Sequence, residues 1–278
     1  AIAEDRVKLD DAAKKYMDSC SDFLDGQNDR MLEEIASLKD QTQETSNSSG
    51  SAHEAASVSL QGAPITAPPC PAGDQAQQVL TEGNARYVSG SSIHPDINQE
   101  RRDDTSVNGQ HPIATVICCS DSRVPAEILF DQGIGTVFTI RVAGNVCDID
   151  EIGSIEYGVE HLETPLFVVL GHTKCGAVTA MAMDSVLHGS IVPLVEHIRP
   201  ALMEVKSANP GLTGNELVDA VIRANVWLGI EDLLRKSPAV QARAKEGKVK
   251  VVGAIYHIED GHIEWLGQHP REGSLLAA

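Results

Sequence analysis

Positive charge is scarce in this chain. Only 22 lysines and arginines stand against 40 aspartates and glutamates, a net charge of −18. A nucleic acid or an anionic membrane surface demands a basic face, so neither is expected as a partner. Long apolar runs are missing too. The longest, around Leu166 to Gly171, is strand-sized and far short of the roughly 20 residues of a membrane-spanning helix. There is no internal repeat, and no disulfide framework. Six cysteines, at positions 20, 70, 118, 119, 147 and 175, are spread irregularly through 278 residues, unlike the dense pattern of small secreted scaffolds. Pairing between Cys20 and Cys70, which lie outside the core, stays open. The chain begins at Ala1 without a methionine, which leaves both a cytoplasmic location and export after removal of a leader open.

What is present divides the chain in two. Residues 1–73 read as a helical and linker extension. Amphipathic stretches (Val7, Met17, Phe23, Leu24, Met31, Leu32, Ile35, Leu38) precede a Gln/Thr/Ser/Asn run from Gln41 to Gly50 and small-residue filler ending at Pro69, a linker-like composition. It reads as an appendage without chemistry, an oligomer-stabilising arm or a tether. Residues 74–278 alternate strand and helix patterns. Strands are predicted at Ile113 to Cys118, Thr136 to Ile140, Leu166 to Leu170, Lys248 to Tyr256 and His262 to Leu266. Helices are predicted at Gln75 to Val88, after Pro125, at Asp150 to Leu162, after Cys175, at Pro193 to Val205 and at Gly214 to Arg235. Such alternation implies an α/β domain with a mostly parallel central sheet flanked by helices. The last two strands, joined by a Glu259-Asp260-Gly261 turn, read as a C-terminal edge hairpin.

Two strings carry the chemistry: Cys119-Ser120-Asp121-Ser122-Arg123 after the first strand and His172-Thr173-Lys174-Cys175-Gly176 after the third. Sites in open α/β sheets form at the carboxyl ends of strands, so both strings fall on one rim. Cys119, His172 and Cys175 give an S₂N set for zinc with a fourth position open to water, the pattern of a catalytic rather than a structural site. Cys175 opens a helix, whose dipole favours a thiolate. Zinc lowers the pKa of bound water from about 15.7 to about 7, making hydroxide available at neutral pH. Alternation along an extended segment places Asp121 and Arg123 on the same side as Cys119. There an ionised Asp121 accepts the hydroxide's hydrogen and aims its lone pair at an electrophile. Arg123 keeps that carboxylate ionised and off the metal; without it Asp121 becomes a fourth ligand. Cys118, pointing opposite to Cys119, and Cys147 read as inert packing residues. The nine other histidines read as surface or packing residues, His257 and His262 among them as hairpin residues.

These motifs resemble the β-class carbonic anhydrases of bacterial type. The resemblance covers about Gln75 to Leu266. It rests on Cys119-Ser120-Asp121-Ser122-Arg123-Val124-Pro125, Arg141-Val142-Ala143-Gly144-Asn145, Gly171-His172-Thr173-Lys174-Cys175-Gly176, Val252-Gly253-Ala254-Ile255-Tyr256 and the bacterial variant Phe130-Asp131-Gln132-Gly133. It implies a zinc lyase that converts carbon dioxide reversibly to bicarbonate and a proton, working as a homodimer or a dimer of dimers. Carried over by position, Cys119, His172 and Cys175 bind zinc, and Asp121 and Arg123 form the orienting dyad. Gln110 donates a hydrogen bond to substrate. Phe138 and Tyr157 line an apolar pocket, in part from a neighbouring subunit. Val124 lies against carbon dioxide, and the Gly176 amide helps hold bicarbonate. Every residue needed for Asp121 to close onto zinc at lower pH is present. Some bacterial relatives hold inhibitory bicarbonate beside a tryptophan three residues before the first ligand. This chain has Val116 there, so that pocket is expected to be missing. Two other functions fit parts of the pattern: hydrolysis of carbonyl sulfide or carbon disulfide on the same scaffold, and a non-catalytic, zinc-containing bicarbonate sensor. Asp121, Arg123 and Gln110 argue against the sensor, because a structural zinc site needs none of them.

Overall fold

Short aliphatic and β-branched runs, buried on both faces, build the centre of the protein. The computed structural model describes residues 70–277. Strands β1 (Ala114–Cys119), β2 (Val137–Val142), β3 (Leu166–His172), β4 (Lys250–Tyr256) and β5 (Ile263–Gly267) form one sheet in the order β2-β1-β3-β4-β5. The β1–β2, β1–β3 and β3–β4 pairs are parallel, and β5 returns antiparallel to β4. This is the mostly parallel sheet with an edge hairpin expected from the sequence. Every residue of β1 and β3 is buried, as parallel strands covered on both faces require.

Alternate residues feed two apolar layers. Ile117, Phe167, Val169, Val251 and Ile255 pack with Val221, Ile222, Val226 and Ile230, which lie on the long helix α8 (Gly214–Lys236). Val116, Cys118, Val168, Leu170 and Val252 pack on the other side with Leu80 and Leu129, from α1 (Pro71–Val88) and α3 (Ala126–Leu129). Gly171 and Gly253 let α8 close onto β3 and β4, since a Cβ at either would lie 2.6 or 2.7 Å from a Val226 methyl. The remaining helices are α2 (Gln99–Asn108), α4 (Ile149–Glu156), α5 (Gly176–Ala182), α6 (Ile191–Glu196), α7 (Arg199–Ala208), α9 (Pro238–Lys245) and α10 (Glu272–Ala277). No described helix is long and apolar enough to cross a membrane.

The structure departs from the sequence expectation at several points. Cys119 and His172 end β1 and β3 rather than lying past them, because they still register with Val142 and Tyr256 on the neighbouring strands. The helix predicted to Leu162 stops at Glu156 and widens into a π turn, Tyr157–His161. There the Gly158 carbonyl accepts Thr164 N–H and O–H, both at 3.1 Å. The helix predicted across Pro193 to Val205 is two, α6 and α7, with Pro200 in the first turn of the second, where its missing N–H is tolerated. Helices α2, α9 and α10 were not expected. In α2 no residue is buried, so no apolar period marks it. It is fixed instead by its Asn98 cap on Arg101 N–H (2.9 Å) and by the Arg101–Asp104 pair (2.8 Å). The readings of residues 1–69, Cys20 included, lie outside the described residues.

Candidate metal centre

The carboxyl ends of β1 and β3 bring Cys119, His172 and Cys175 together. Their ligand atoms lie within 4.8 Å of one another, and all three residues are buried. The His172 Nδ1 is 2.9 Å from the Thr173 carbonyl oxygen. A carbonyl only accepts, so Nδ1 carries the proton and Nε2 presents a bare lone pair. That Nε2 is buried and has no hydrogen-bond partner among the described residues. A buried acceptor without a partner costs free energy until something takes its lone pair. Two thiols beside it make a donor set that fits zinc, and an Nδ1–H bonded to a backbone carbonyl is how proteins orient a ligating imidazole.

The thiols are unequal. Their sulfurs are 4.0 Å apart. Hydrogen bonding from Cys175 is the largest influence pulling the Cys119 thiol down, helped by the amides of Gly144 (3.3 Å) and Asp121 (3.4 Å), with burial opposing. The same contact, with burial, pushes Cys175 upward. The start of α5 does act on Cys175 as expected, through the Ala177 and Val178 amides, but Cys119 outweighs it. Cys118 faces the opposite layer, and burial pushes it and Cys147 up to about 12, consistent with inert packing thiols.

Asp121 and Arg123 reach the same side by a turn, not by the extended alternation expected. The Val124 N–H donates to the Asp121 carbonyl (3.0 Å) and the Arg123 N–H to Asp121 Oδ1 (2.9 Å), a side-chain-mimicked turn of the kind aspartate favours. The Arg123 guanidinium then forks onto the carboxylate, Nε to Oδ1 at 2.9 Å and Nη2 to Oδ2 at 2.7 Å. That fork holds Asp121 well below the usual carboxylate range. Asp121 stands outside the ligand cluster.

Three supporting residues were not assigned roles from sequence. Gly144, in the left-handed region at φ +73, turns its amide to Cys119, and a Cβ there would lie 2.8 Å from Ile198 Cδ1. Arg141 on β2 donates to the carbonyls of Cys119 (3.2 Å) and Asp121 (2.6 Å), pinning the strand end. Both lie in the Arg141–Asn145 motif, which was the available signal. Thr173 supplies the carbonyl that orients His172.

The other expected site residues divide. Val124 is buried beside the turn, and Gly176, first residue of α5, is exposed with open space around it. Gln110 is exposed. Phe138 packs on Tyr157, ring centroids 5.8 Å apart, but Phe138 registers with Thr115, at the opposite end of β1 from Cys119. At about 3.3 Å per residue this puts it about 13 Å from its own metal-site rim. Val116 is fully buried in the core.

The family model for carbonic anhydrase matches residues 114–263. A carbonic anhydrase of Mycolicibacterium smegmatis is 41% identical over 193 residues, 68% of this chain and 91% of that protein. Among solved structures, a β-carbonic anhydrase of the fungal pathogen Aspergillus fumigatus superposes with a TM-score of 0.58 at 28% identity, covering 73% of this chain and 98% of the other. One of two tetrameric β-carbonic anhydrases from Sordaria macrospora gives 0.56 at 26% identity, covering 70% and 98%.

Proposed function

The chain belongs to the β-carbonic anhydrases, zinc lyases that convert carbon dioxide reversibly to bicarbonate and a proton, and from that premise we propose how its own residues carry the reaction. Cys119, His172 and Cys175 hold the zinc, which when bound supplies a water acidic enough to be a nucleophile near neutral pH. Asp121 accepts that nucleophile's hydrogen and so directs its lone pair toward carbon. Its carboxylate has about four acceptor sites; three are taken by Arg123, and the one left is on Oδ2. Arg123 keeps Asp121 ionised and turned away from the ligand cluster. Val124 gives an apolar wall to a substrate without charge or dipole, and the Gly176 amide donates to bicarbonate. The observation that carries this reading is the buried, bare Nε2 of His172 facing two thiols.

The working unit is a homodimer or a dimer of dimers, as the tetrameric Sordaria macrospora relatives suggest. Supporting this, β2 is an edge strand, Phe138 and the Tyr157 packed on it lie at the end of β1 away from Cys119, and Gln110 is exposed. Subunit mixing tests it. Gln110→Ala and Asp121→Ala homo-oligomers are each impaired. Once exchanged, a mixed pair restores one site with both residues intact, and hydration returns in part. No recovery despite demonstrated exchange would place Gln110 at its own chain's site.

A further inference from the structure

The turn between β4 and β5, which has no role so far, reaches the loop that joins two zinc ligands. Residues 173–175 must hold His172 and Cys175 in register while Lys174 sits at φ +54, a left-handed conformation that a non-glycine adopts at a cost of about 1 kcal/mol or more. Such backbone persists where its surroundings hold it. Glu259 is what holds it. Its Oε2 accepts the Thr173 hydroxyl (2.8 Å), and its Oε1 pairs with Lys174 Nζ (2.9 Å). The turn is stitched to the same loop twice more. Ile258 N–H donates to Thr173 Oγ1 (3.0 Å), and Thr173 N–H donates to the Tyr256 carbonyl (2.9 Å).

This loop does two jobs with its carbonyls. That of Thr173 fixes the His172 ring, and that of Lys174 accepts Arg123 Nη2 at 3.3 Å. A shift of the loop therefore moves the imidazole lone pair and the orienting dyad together. We propose that Glu259 is a positioning residue for the metal centre, clamping the 173–175 loop so that His172, Cys175 and Arg123 keep their mutual placement. The proposal rests on the ligand assignment above.

Glu259 suits a clean test. Its side chain is 45% exposed and its Lys174 partner 63%, so as an exposed pair it contributes little to global stability. It also lines a cavity of about 710 Å³ beside Thr173 and Lys174, so truncating it opens no buried void. The experiment compares the full chain with its Glu259→Ala, Glu259→Gln and Cys175→Ala variants. Zinc affinity is read by chelator competition, ligand geometry by the visible spectrum of the cobalt(II)-substituted protein, and folding by thermal melting of the metal-free protein. Glu259→Ala is expected to bind zinc about tenfold more weakly, the scale of a lost outer-shell partner, with altered cobalt bands and an unchanged melting temperature. Glu259→Gln, whose amide oxygen still accepts the Thr173 hydroxyl, should recover most of that affinity. Wild-type affinity and cobalt spectrum in Glu259→Ala overturn the clamp. So does a loss of affinity that tracks a fallen melting temperature and that glutamine does not relieve. Full zinc in Cys175→Ala overturns the ligand assignment instead, which separates the two failures.

Discussion

Replacing Asp121 by asparagine changes two atoms' chemistry and almost nothing else. In the structure Oδ1 accepts two donors, Arg123 N and Nε, while Oδ2 accepts Nη2 alone. The amide orientation that keeps both bonds at Oδ1 puts an NH₂ where Oδ2 was. That group faces Arg123 Nη2 as a second donor and has no lone pair to offer a nucleophile's hydrogen. The positioned acceptor is lost while the ligand cluster stays whole, so hydration should fall by roughly 10²–10⁴-fold, about 3–5 kcal/mol of transition-state stabilisation at 1.36 kcal/mol per tenfold. Global stability should barely change, because the Arg123 side of the pair is 49% exposed. The Arg123 fork also keeps wild-type Asp121 ionised throughout the assay range, so the variant imitates a protonation state the native carboxylate does not reach there. Stopped-flow hydration at pH 8, with zinc quantified on the same samples, decides it. Asp121→Asn or Asp121→Ala retaining more than about a tenth of native turnover at full zinc would refute the orienting role; so would loss of zinc, which would make Asp121 a ligand.

Three further outcomes follow from the same geometry. Cys175→Ala should lose zinc and loosen the sheet rim, seen as metal content near zero and a lower melting temperature. Gly144→Ala, forced into a left-handed conformation with its Cβ 2.8 Å from Ile198 Cδ1, should cost about 1–3 kcal/mol in urea unfolding. It should also weaken zinc binding as the amide leaves Cys119. Glu272, buried at 5% exposure, has its carboxyl pushed up from 4.5 to about 7 by burial, with Lys250 opposing. Its neutral form is the folded form, so stability is full below about pH 4.5 and falls as pH rises through 7. Glu272→Gln should therefore add about 3 kcal/mol at pH 8 and little at pH 4.5; an equal change at both would place the effect elsewhere.

The strands of the central sheet were legible because parallel strands covered on both faces need uninterrupted apolar runs, and 113–118 and 166–170 are such runs. The three candidate ligands were legible because strand ends and residue types coincide. Other features leave no such trace. Helix α2 buries nothing, so it shows no period. The Asp121 turn looks like an extended segment until its carboxylate is seen capping its own backbone. The Gly144 amide that donates to the Cys119 sulfur comes from 25 residues away in the chain. Glu259 is 86 residues from Thr173, and by sequence it is only a turn residue.

The central claim is that this rim turns over carbon dioxide with zinc held by Cys119, His172 and Cys175. The direct measurement is stopped-flow carbon dioxide hydration by the purified protein across roughly pH 6 to 9, bracketing the pKa of zinc-bound water, with zinc determined on the same sample. Fast turnover at about one zinc per chain, rising as pH passes the pKa of zinc-bound water, is the result predicted. Stoichiometric zinc with no hydration at any pH would contradict the account.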